Sequence, residues 1–466
     1  MTLILSVSGI RGTLGGKPGE GLTPVDVVKF SGAYGMWLKS RFPADRIKVV
    51  IGRDARITGP AIGKIVSSVL QSMGIDVIDA GLSTTPSVAM GVEIFNAKGG
   101  IIITASHNPK NWNALKLLND SGEFMTQAQS DEMFQFMDPE KFQFATVEAY
   151  GDFSKMECLV ELHIEKILGL PLVNVDAIRS AGFRVVVDGV NSSGGIAIPM
   201  LLEALGVKQV HEIFCEPTGN FPHNPEPLPE NLRELSAEVV NKSAHLGIAV
   251  DPDVDRLALV CEDGEMFGEE YTLVSVADYV LSHTPGNTVS NLSSTQALAE
   301  LTRGYGCQHF YSAVGEVNVV EAMKTHQAVI GGEGNGGVIY PALHYGRDAL
   351  VGVALFLSHL ALSKKSCSTL KQKYPAYHIS KSKIELPAGV DVEAILQKIT
   401  ERYSRHPITL TDGVKIHFDT EWIHLRRSNT EPIIRIYCES DNMVKAENLG
   451  KKMVSDIGEL INNQEG

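Results

Sequence analysis

The chain has few cysteines, and it places none of them in pairs. Its 466 residues include six cysteines, and no Cys-x-x-Cys spacing occurs among them. They are Cys158, Cys215, Cys261, Cys307, Cys367 and Cys438. This pattern excludes a disulfide framework and a zinc signature, and it is typical of a reducing compartment. We therefore expect a cytoplasmic protein.

Long apolar runs are also missing. No stretch approaches the roughly 20 apolar residues that a membrane helix needs, so we expect no membrane association. The opening "MTLILSVSGIRG" has no basic segment before its short apolar stretch, which argues against a signal peptide. It predicts instead an opening β-strand that leads into a turn around Gly9, Arg11 and Gly12.

The chain has fewer basic than acidic residues. The 41 Lys and Arg residues are outnumbered by 55 Asp and Glu residues, for a net charge of −14. This balance argues against nucleic acid or an anionic membrane as a partner. Binding of an anionic substrate is still compatible with this charge, provided that a few Arg and Lys side chains gather locally. The sequence does not indicate an oligomeric state.

What the chain does have is a weak internal repeat. The segments 47–81, 183–214 and 286–315 each predict a strand, a Gly-containing turn, an amphipathic helix and a second strand. Strands that alternate with helices imply βαβ units and largely parallel sheets. The repeat therefore predicts three related α/β domains.

The last quarter follows another pattern. After a helical "DVEAILQKITERYSRH", the stretch "GVKIHFDTEWIHLRRSNTEPIIRIYCES" alternates apolar and polar residues, as antiparallel strands do. We expect an α/β protein with three related α/β domains of mixed, largely parallel sheets and a C-terminal α+β domain. The predicted domains are residues 1–152, 153–264, 265–370 and 371–466.

The stretch "GGIIITASHNPKNWNALKLLN" places polar groups at the end of a buried strand. Ser106 follows the apolar run, Pro109 blocks its continuation, and His107, Asn108 and Lys116 lie nearby. Ligand groups collect at the carboxyl edge of parallel strands, so Ser106 is a candidate nucleophile. The Gly-x-Ser-x-Gly elbow of serine hydrolases is absent. An ordinary Asn-Pro turn is the alternative.

A second motif, "DPDVDR", lies between two apolar runs. If the segment is extended, Asp251, Asp253 and Asp255 point to one side and converge. Three carboxylates repel one another unless a cation lies among them, and oxygen ligands favour Mg²⁺ or Ca²⁺. Arg256 occupies the position where an EF-hand requires Gly, so we reject that fold. A simple acidic turn is the alternative.

Two further loops are candidate ligand-binding motifs. In "GGEGNGG", Glu333 and Asn335 are the only side chains among glycines, and such groups bind neighbouring hydroxyls of a sugar. In "LRRSNTEPIIRIYCES", guanidinium, hydroxyl and amide groups surround one turn and form a candidate phosphate cradle. The cradle residues are Arg426, Ser428, Asn429, Thr430 and Arg435. A flexible loop tip and a solvated basic turn are the alternatives.

Taken together, the four motifs describe phosphoryl transfer on a phosphosugar. The chain resembles the α-D-phosphohexomutase family over essentially its whole length, through "TASHNP", "DPDVDR", "GEGNGG", "RRSNTEP" and "SGIRG". The resemblance implies four domains around a central cleft. It also implies a phosphorylated Ser106 that is required for activity, and one Mg²⁺ ion held by Asp251, Asp253, Asp255 and the Ser106 phosphate.

The resemblance also assigns roles to other residues. Arg11 and Lys116 match positions beside the transferring phosphoryl group, and Arg256 and Asn108 match contacts to the phosphoserine or substrate. Glu333 and Asn335 match the sugar loop, and the cradle matches the distal phosphate site. Many bacterial relatives carry a histidine where this chain has Gly337, so His107 or Lys116 would serve as proton relay.

The implied reaction moves a phosphoryl group between C6 and C1 of a hexose phosphate through a hexose 1,6-bisphosphate. The expected substrate is glucosamine 6-phosphate, which gives glucosamine 1-phosphate. A phosphomannomutase/phosphoglucomutase is the enzymatic alternative. A catalytically silent sugar-phosphate sensor is the alternative from another class.

Overall fold

The computed structural model describes residues 2–7, 9–387, 390–427 and 433–462. In these residues the strands form four sheets of seven, four, four and five strands. Helices alternate with the strands of the first three sheets, whereas the fourth sheet is antiparallel throughout. The predicted fold class is confirmed. Among the described helices, none is both long enough and apolar enough to cross a membrane.

The first sheet mixes parallel and antiparallel pairs. Its strands are β1 (Leu3–Ser6), β2 (Gly9–Thr13), β3 (Lys48–Arg53), β4 (Asp76–Leu82), β5 (Gly99–Ile103), β6 (Trp112–Leu118) and β7 (Phe153–Lys155). Its helices are α1 (Pro24–Arg41), α2 (Gly59–Ser72), α3 (Thr85–Ile94) and α4 (Gln127–Phe134). The spatial order is β1-β2-β6-β5-β3-β4-β7, with parallel pairing from β5 to β7. This order brings the end of β5 next to β6.

The predicted opening strand is confirmed as β1. The predicted turn around Gly9, Arg11 and Gly12 is wrong, because these residues form β2, which pairs with both β1 and β6. The glycines serve close packing between strands and not a turn. Gly9 has a φ of +117°, and a Cβ atom there would lie 2.7 Å from the Leu115 carbonyl oxygen. This pairing places Arg11 opposite Ala114 on β6.

The second and third sheets each contain two parallel pairs and one antiparallel pair. The strands of the second sheet are β8 (Arg184–Asp188), β9 (Gln209–Ile213), β10 (Leu246–Val250) and β11 (Leu257–Cys261). Its helices are α5 (Leu159–Leu168), α6 (Val175–Ala181), α7 (Gly194–Ala204) and α8 (Arg233–Asn241). The third has β12 (Thr288–Asn291), β13 (His309–Ser312), β14 (Ile330–Glu333) and β15 (Gly337–Ile339). Its helices are α9 (Glu269–His283), α10 (Ala297–Gly304), α11 (Glu316–Thr325), α12 (Ala349–Ser363) and α13 (Cys367–Lys371). The three predicted strand–helix–strand repeats are confirmed as β3-α2-β4, β8-α7-β9 and β12-α10-β13.

One hydrophobic core is continuous between the second and third sheets. Helix α12 lies within it, and every residue from Ala349 to Leu360 is buried. A helix that is apolar all round is a core helix, so its first turn is fixed in place. This fixes Arg347 and Asp348, which precede the helix.

The C-terminal unit has the predicted α+β character. Its strands are β16 (His378–Glu385), β17 (Ile408–Thr409), β18 (Val414–His417), β19 (Trp422–Arg427) and β20 (Ile433–Ser440), in the spatial order β16-β20-β19-β18-β17. Its helices are α14 (Val392–Arg402) and α15 (Met443–Asn462). The predicted antiparallel pairing is confirmed, since β19 pairs antiparallel with both β18 and β20. Most positions of β19 and β20 are buried, because these two strands lie inside the sheet.

A buried polar cluster joins the first three units. The Asp348 carboxylate Oδ2 lies 3.0 Å from His163 Nε2 and 3.2 Å from His344 Nε2. His163 Nδ1 lies 3.0 Å from Ser87 Oγ on α3. Asp348 Oδ1 accepts from the first backbone N–H groups of α12. Since both oxygens of Asp348 and both ring nitrogens of His163 have partners, hydrogen bonding alone accounts for this cluster.

We expect Asp348→Asn to lower the free energy of unfolding by about 2 kcal/mol at neutral pH, because hydrogen bonds to a charged group contribute ~1.5–3 kcal/mol. Burial favours the neutral acid, but the two imidazoles outweigh it and hold the pKa of Asp348 below its usual range. The stabilisation is therefore present above about pH 4 and lost as the pH falls further. Urea unfolding of both proteins at about pH 7 and about pH 3.5 measures this loss.

The control is Asp176→Asn, whose exposed carboxylate pairs only with Arg179. Its free energy of unfolding should stay within about 0.5 kcal/mol of the parent protein. An Asp348→Asn deficit of the same size at both pH values would contradict the assigned ionised state.

Candidate active site

Ser106 lies just beyond the carboxyl end of β5, as its position after the apolar run predicted. The residue has a φ of +48°, in the left-handed region. The Oγ atom donates to Asp251 Oδ2 at 2.6 Å and lies 3.3 Å from His107 Nδ1.

The three aspartates lie in the connection between β10 and β11. Their carboxylates offer ligand atoms that are all within 4.8 Å of one another. The expectation that an extended segment aligns them is wrong. A tight turn does so instead, with Val254 N–H donating to the Asp251 carbonyl and Val254 at a φ of +65°. The flanking strands agree with the rejection of an EF-hand.

Two cations neutralise part of this acidic cluster. Lys116 Nζ on β6 lies 2.6 Å from Asp253 Oδ2 and 3.1 Å from Asp255 Oδ2. Arg347 Nη2 lies 2.7 Å from the same Asp255 oxygen. Burial opposes the charged form of Lys116, but Asp253 and Asp255 outweigh it and raise the pKa of Lys116. Burial, followed by the charges of Asp255 and Asp253, raises the pKa of Asp251 well above its usual range.

Two oxygens of the trio have no partner in the described residues. Asp253 Oδ1 and Asp255 Oδ1 are buried and accept no hydrogen bond. Unpaired buried carboxylate oxygens cost free energy. Asp251 Oδ2, which faces Ser106, lies beside them. The residues present therefore fit an all-oxygen site for a hard divalent cation.

Positive charge gathers next to Ser106. Burial, followed by the Arg256 and Arg347 guanidinium groups, lowers the pKa of Arg11. Arg256 contacts Glu226 at 3.4 Å through Nη1, while its buried Nε has no hydrogen-bond partner among the residues that the structure describes. Burial, followed by the charge of Arg256, holds the pKa of His107 well below its usual range, so this ring is neutral at pH 7. The buried Asn108 Oδ1 accepts no hydrogen bond from the described part of the chain.

The glycine-rich segment is a hairpin and not a free loop. Glu333 ends β14, Gly337 begins β15, and Asn335 lies in the connection, where its Oδ1 accepts from Gly337 N–H at 3.2 Å. The Glu333 carboxylate accepts from Asn291 Nδ2 at 2.8 Å and Gly315 N–H at 3.0 Å. Both residues are thus held in defined orientations.

The sequence did not predict Arg347, which contacts both the aspartate trio and the hairpin of Glu333. Besides Asp255, its guanidinium binds Glu333 Oε2 at 3.0 Å and Glu316 Oε2 at 2.9 Å. Arg347 therefore connects the hairpin that carries Glu333 to the aspartate trio. Its sequence context, "GRDAL", offers no signal beyond a helix cap at Asp348.

Only part of the predicted phosphate cradle can be located. Arg426 on β19 and Arg435 on β20 lie directly opposite each other, and Arg426 Nε lies 2.8 Å from Asp412 Oδ2. Like charges on opposite positions of neighbouring strands are destabilising, unless an anion binds between them. Ser428, Asn429 and Thr430 lie outside the described residues.

Four family models match the chain in order, and all describe phosphoglucomutase/phosphomannomutase. Three alpha/beta/alpha domains, I, II and III, match residues 3–144, 161–264 and 268–377, and the C-terminal domain matches residues 382–455. The class that the fold and site define is thus a sugar-phosphate mutase. The chain belongs to the phosphoglucomutase/phosphomannomutase family, whose members are isomerases that act as phosphotransferases.

Full-length relatives support this assignment. The chain is 36% identical to a phosphoglucomutase/phosphomannomutase of Thermococcus kodakarensis, over 96% of this chain and 98% of that protein. It is 32% identical to a probable phosphoglucosamine mutase of Methanopyrus kandleri, over 97% of each. A crystal structure of a phosphoglucomutase/phosphomannomutase family protein from Burkholderia thailandensis superimposes with a TM-score of 0.82 at 24% identity, over 97% of each chain.

Proposed function

We propose that the protein moves a phosphoryl group between C6 and C1 of a hexose phosphate through phosphorylated Ser106 and a hexose 1,6-bisphosphate. The observation that supports this most directly is the 2.6 Å contact between Ser106 Oγ and Asp251. The Ser106 hydroxyl lies beside carboxylates whose unpaired oxygens fit a divalent cation, which supports a role for it as the nucleophile. We propose domain limits after residues 152, 264 and 370.

The ion we propose is Mg²⁺, one per site, held by Asp251, Asp253 and Asp255 with an oxygen of the Ser106 phosphate. When bound, it supplies positive charge beside the transferring phosphoryl group. Phosphoryl transfer depends mainly on alignment and on neutralisation of charge. Arg11, Lys116 and Arg256 supply further positive charge, and Asn108 contacts the phosphoserine or substrate.

The bisphosphate presents each phosphate in turn. The Ser106 phosphoryl group passes to the free hydroxyl of the substrate. The resulting bisphosphate then reverses its orientation within the cleft without dissociating. Its other phosphate then passes back to Ser106. Glu333 and Asn335 hold the sugar hydroxyls, while Arg426 and Arg435, with Ser428, Asn429 and Thr430, hold the phosphate that does not react.

Of the two proton-relay candidates, His107 is the better proposal. Its ring is neutral and lies 3.3 Å from Ser106 Oγ, so it is able to accept the Ser106 proton when this hydroxyl attacks the bisphosphate, and to return a proton to the same oxygen when phosphoserine gives up its phosphoryl group. Lys116 is held in its charged form by Asp253 and Asp255. It is better suited to neutralising phosphate charge.

For the substrate, we propose glucosamine 6-phosphate first, in line with the motifs and the Methanopyrus relative. A specific contact favours a second candidate, a phosphomannomutase/phosphoglucomutase. Because Arg347 already neutralises Glu333, that carboxylate gains less from an ammonium group at C2 than a free carboxylate would. A silent sensor needs neither the nucleophile nor the aspartates, and this chain has both.

Coupled assays on glucosamine 1-phosphate, glucose 1-phosphate and mannose 1-phosphate, with Mg²⁺ and a trace of bisphosphate, test the proposal. We expect turnover on all three, with no more than about 100-fold between the best and the worst. Selectivity well above this for glucosamine 1-phosphate would eliminate the second candidate. Absence of turnover on every sugar would overturn the mutase proposal and leave the sensor.

A further inference from the structure

Arg56, which no motif singles out, is buried in the turn between β3 and α2 with 1% of its surface exposed. All five N–H donors of its guanidinium are used. Nε donates to Asp54 Oδ2 at 3.0 Å, and the two terminal nitrogens donate to four backbone carbonyls at 2.5–3.0 Å. The four carbonyls belong to Ser106, Asn108, Pro109 and Trp112. The loop that carries Ser106 is thus wrapped around one side chain.

A second chain of hydrogen bonds holds the same loop from its other side. Thr104 Oγ1 donates to Asp54 Oδ2 at 2.7 Å and accepts from the Ser106 N–H at 2.9 Å. Arg56 and Asp54 together therefore fix both the N–H and the carbonyl of Ser106. Asp54, Thr104 and Arg56 are all buried.

This arrangement maintains an unfavourable backbone conformation. Ser106 has a φ of +48°, which side chains with a Cβ atom rarely adopt unless their surroundings impose it. A relaxed φ would rotate the Oγ atom away from Asp251. The preceding turn is anchored too, since Ala55 N–H donates to Ser192 Oγ at 3.2 Å.

We infer that Arg56 is a positioning residue that holds the Ser106 loop in the conformation needed for phosphoryl transfer. This inference rests on the proposed function, since it takes Ser106 as the reacting group. A lysine has a single charged nitrogen and lacks the planar fork, so it is able to satisfy only some of the four carbonyls. Misplacement of a reacting group by about 1 Å costs roughly 100-fold in rate.

The test compares Arg56→Lys with Tyr34→Phe in the full-length protein. Tyr34 is an equally buried residue whose hydroxyl donates to the carbonyls of Leu118 at 2.6 Å and Gly100 at 3.3 Å. Gly100 lies at the end of β5 that is opposite to Ser106. We expect Arg56→Lys to lower kcat by about 10- to 100-fold with KM within about threefold. Tyr34→Phe should lose thermal stability and keep its kcat. The ³¹P resonance of phosphoserine should shift or broaden only in Arg56→Lys.

If Arg56→Lys does not fold, Thr104→Val tests the same loop, since it removes the acceptor of the Ser106 N–H and keeps the side-chain shape. A kcat reduced by about tenfold or more supports the inference. Wild-type kcat and an unchanged ³¹P resonance in the folded variant would overturn it. Failure of the proposed function looks different, because the wild-type protein itself would then carry no phosphate and show no turnover.

Discussion

Ser106→Ala is expected to abolish mutase activity, with a loss on the order of 10⁵-fold in kcat. Alanine has no oxygen to carry the phosphoryl group, and no other described hydroxyl donates to Asp251. Intact-mass analysis should show that the native protein is partly heavier by one phosphoryl group. That heavier species should be absent from the variant, even after incubation with hexose 1,6-bisphosphate.

The matched control for this experiment is Ser72→Ala. Ser72 ends α2 in the same unit and donates only to the Val69 carbonyl within its own helix. Its mass distribution and kcat should equal those of the wild-type protein. A Ser106→Ala protein that still turns over, or that still gains a phosphoryl group, would show that the reacting hydroxyl lies elsewhere.

The sequence predicted the order of elements well because that order is encoded locally. The β-branched and apolar residues of "KVVIGR" and "GGIII" determine buried strands, and glycines after the helices mark where each strand restarts. The alternation in "WIHLRR" likewise predicted an antiparallel strand. The misassigned "GIRG" has the composition of a turn, and only its pairing with β6 makes it a strand.

The site residues also fall into two groups, those that lie in local sequence motifs and those that only long-range contacts identify. Ser106 and the three aspartates lie in short motifs at strand ends, so strand prediction locates them. Arg56 contacts a carbonyl 50 positions away, and Arg347 contacts Asp255 at 92 positions. Long-range contacts of a single arginine leave no periodicity and no motif. A three-dimensional structure was needed to find both.

The acidic net charge and the anionic ligand are compatible because cations are concentrated where the phosphoryl group would lie. Arg11 and Lys116 lie on strands of the first sheet, Arg256 in the connection between β10 and β11, and Arg347 before α12. Their charges nevertheless act on one another or on the same aspartates. The local field at Ser106 therefore differs from that of the whole molecule. This is the gathering of positive side chains that an anionic substrate requires.

Asp255→Asn is expected to lower kcat/KM by about 10³-fold, since a bound cation supplies several kcal/mol to the transition state. Asp255 Oδ2 accepts from Lys116 and Arg347, whereas Oδ1 is unpaired. An amide has one oxygen and one NH₂ group. Whichever way it turns, a donor faces either the two cations or the metal position, so the substitution disrupts one side of the site.

The variant should also need more than about ten times as much Mg²⁺ for half-maximal rate, which a Mg²⁺ titration of the coupled assay measures. Asp263→Asn is the control, because this exposed carboxylate follows β11 and, among the described residues, accepts only from the Glu265 N–H. Its Mg²⁺ requirement should match that of the wild-type protein. If Asp255→Asn kept full activity in the presence of a chelator, Lys116 and Arg347 would neutralise the phosphoryl group by themselves. The unpaired oxygens of the trio would then have no catalytic role.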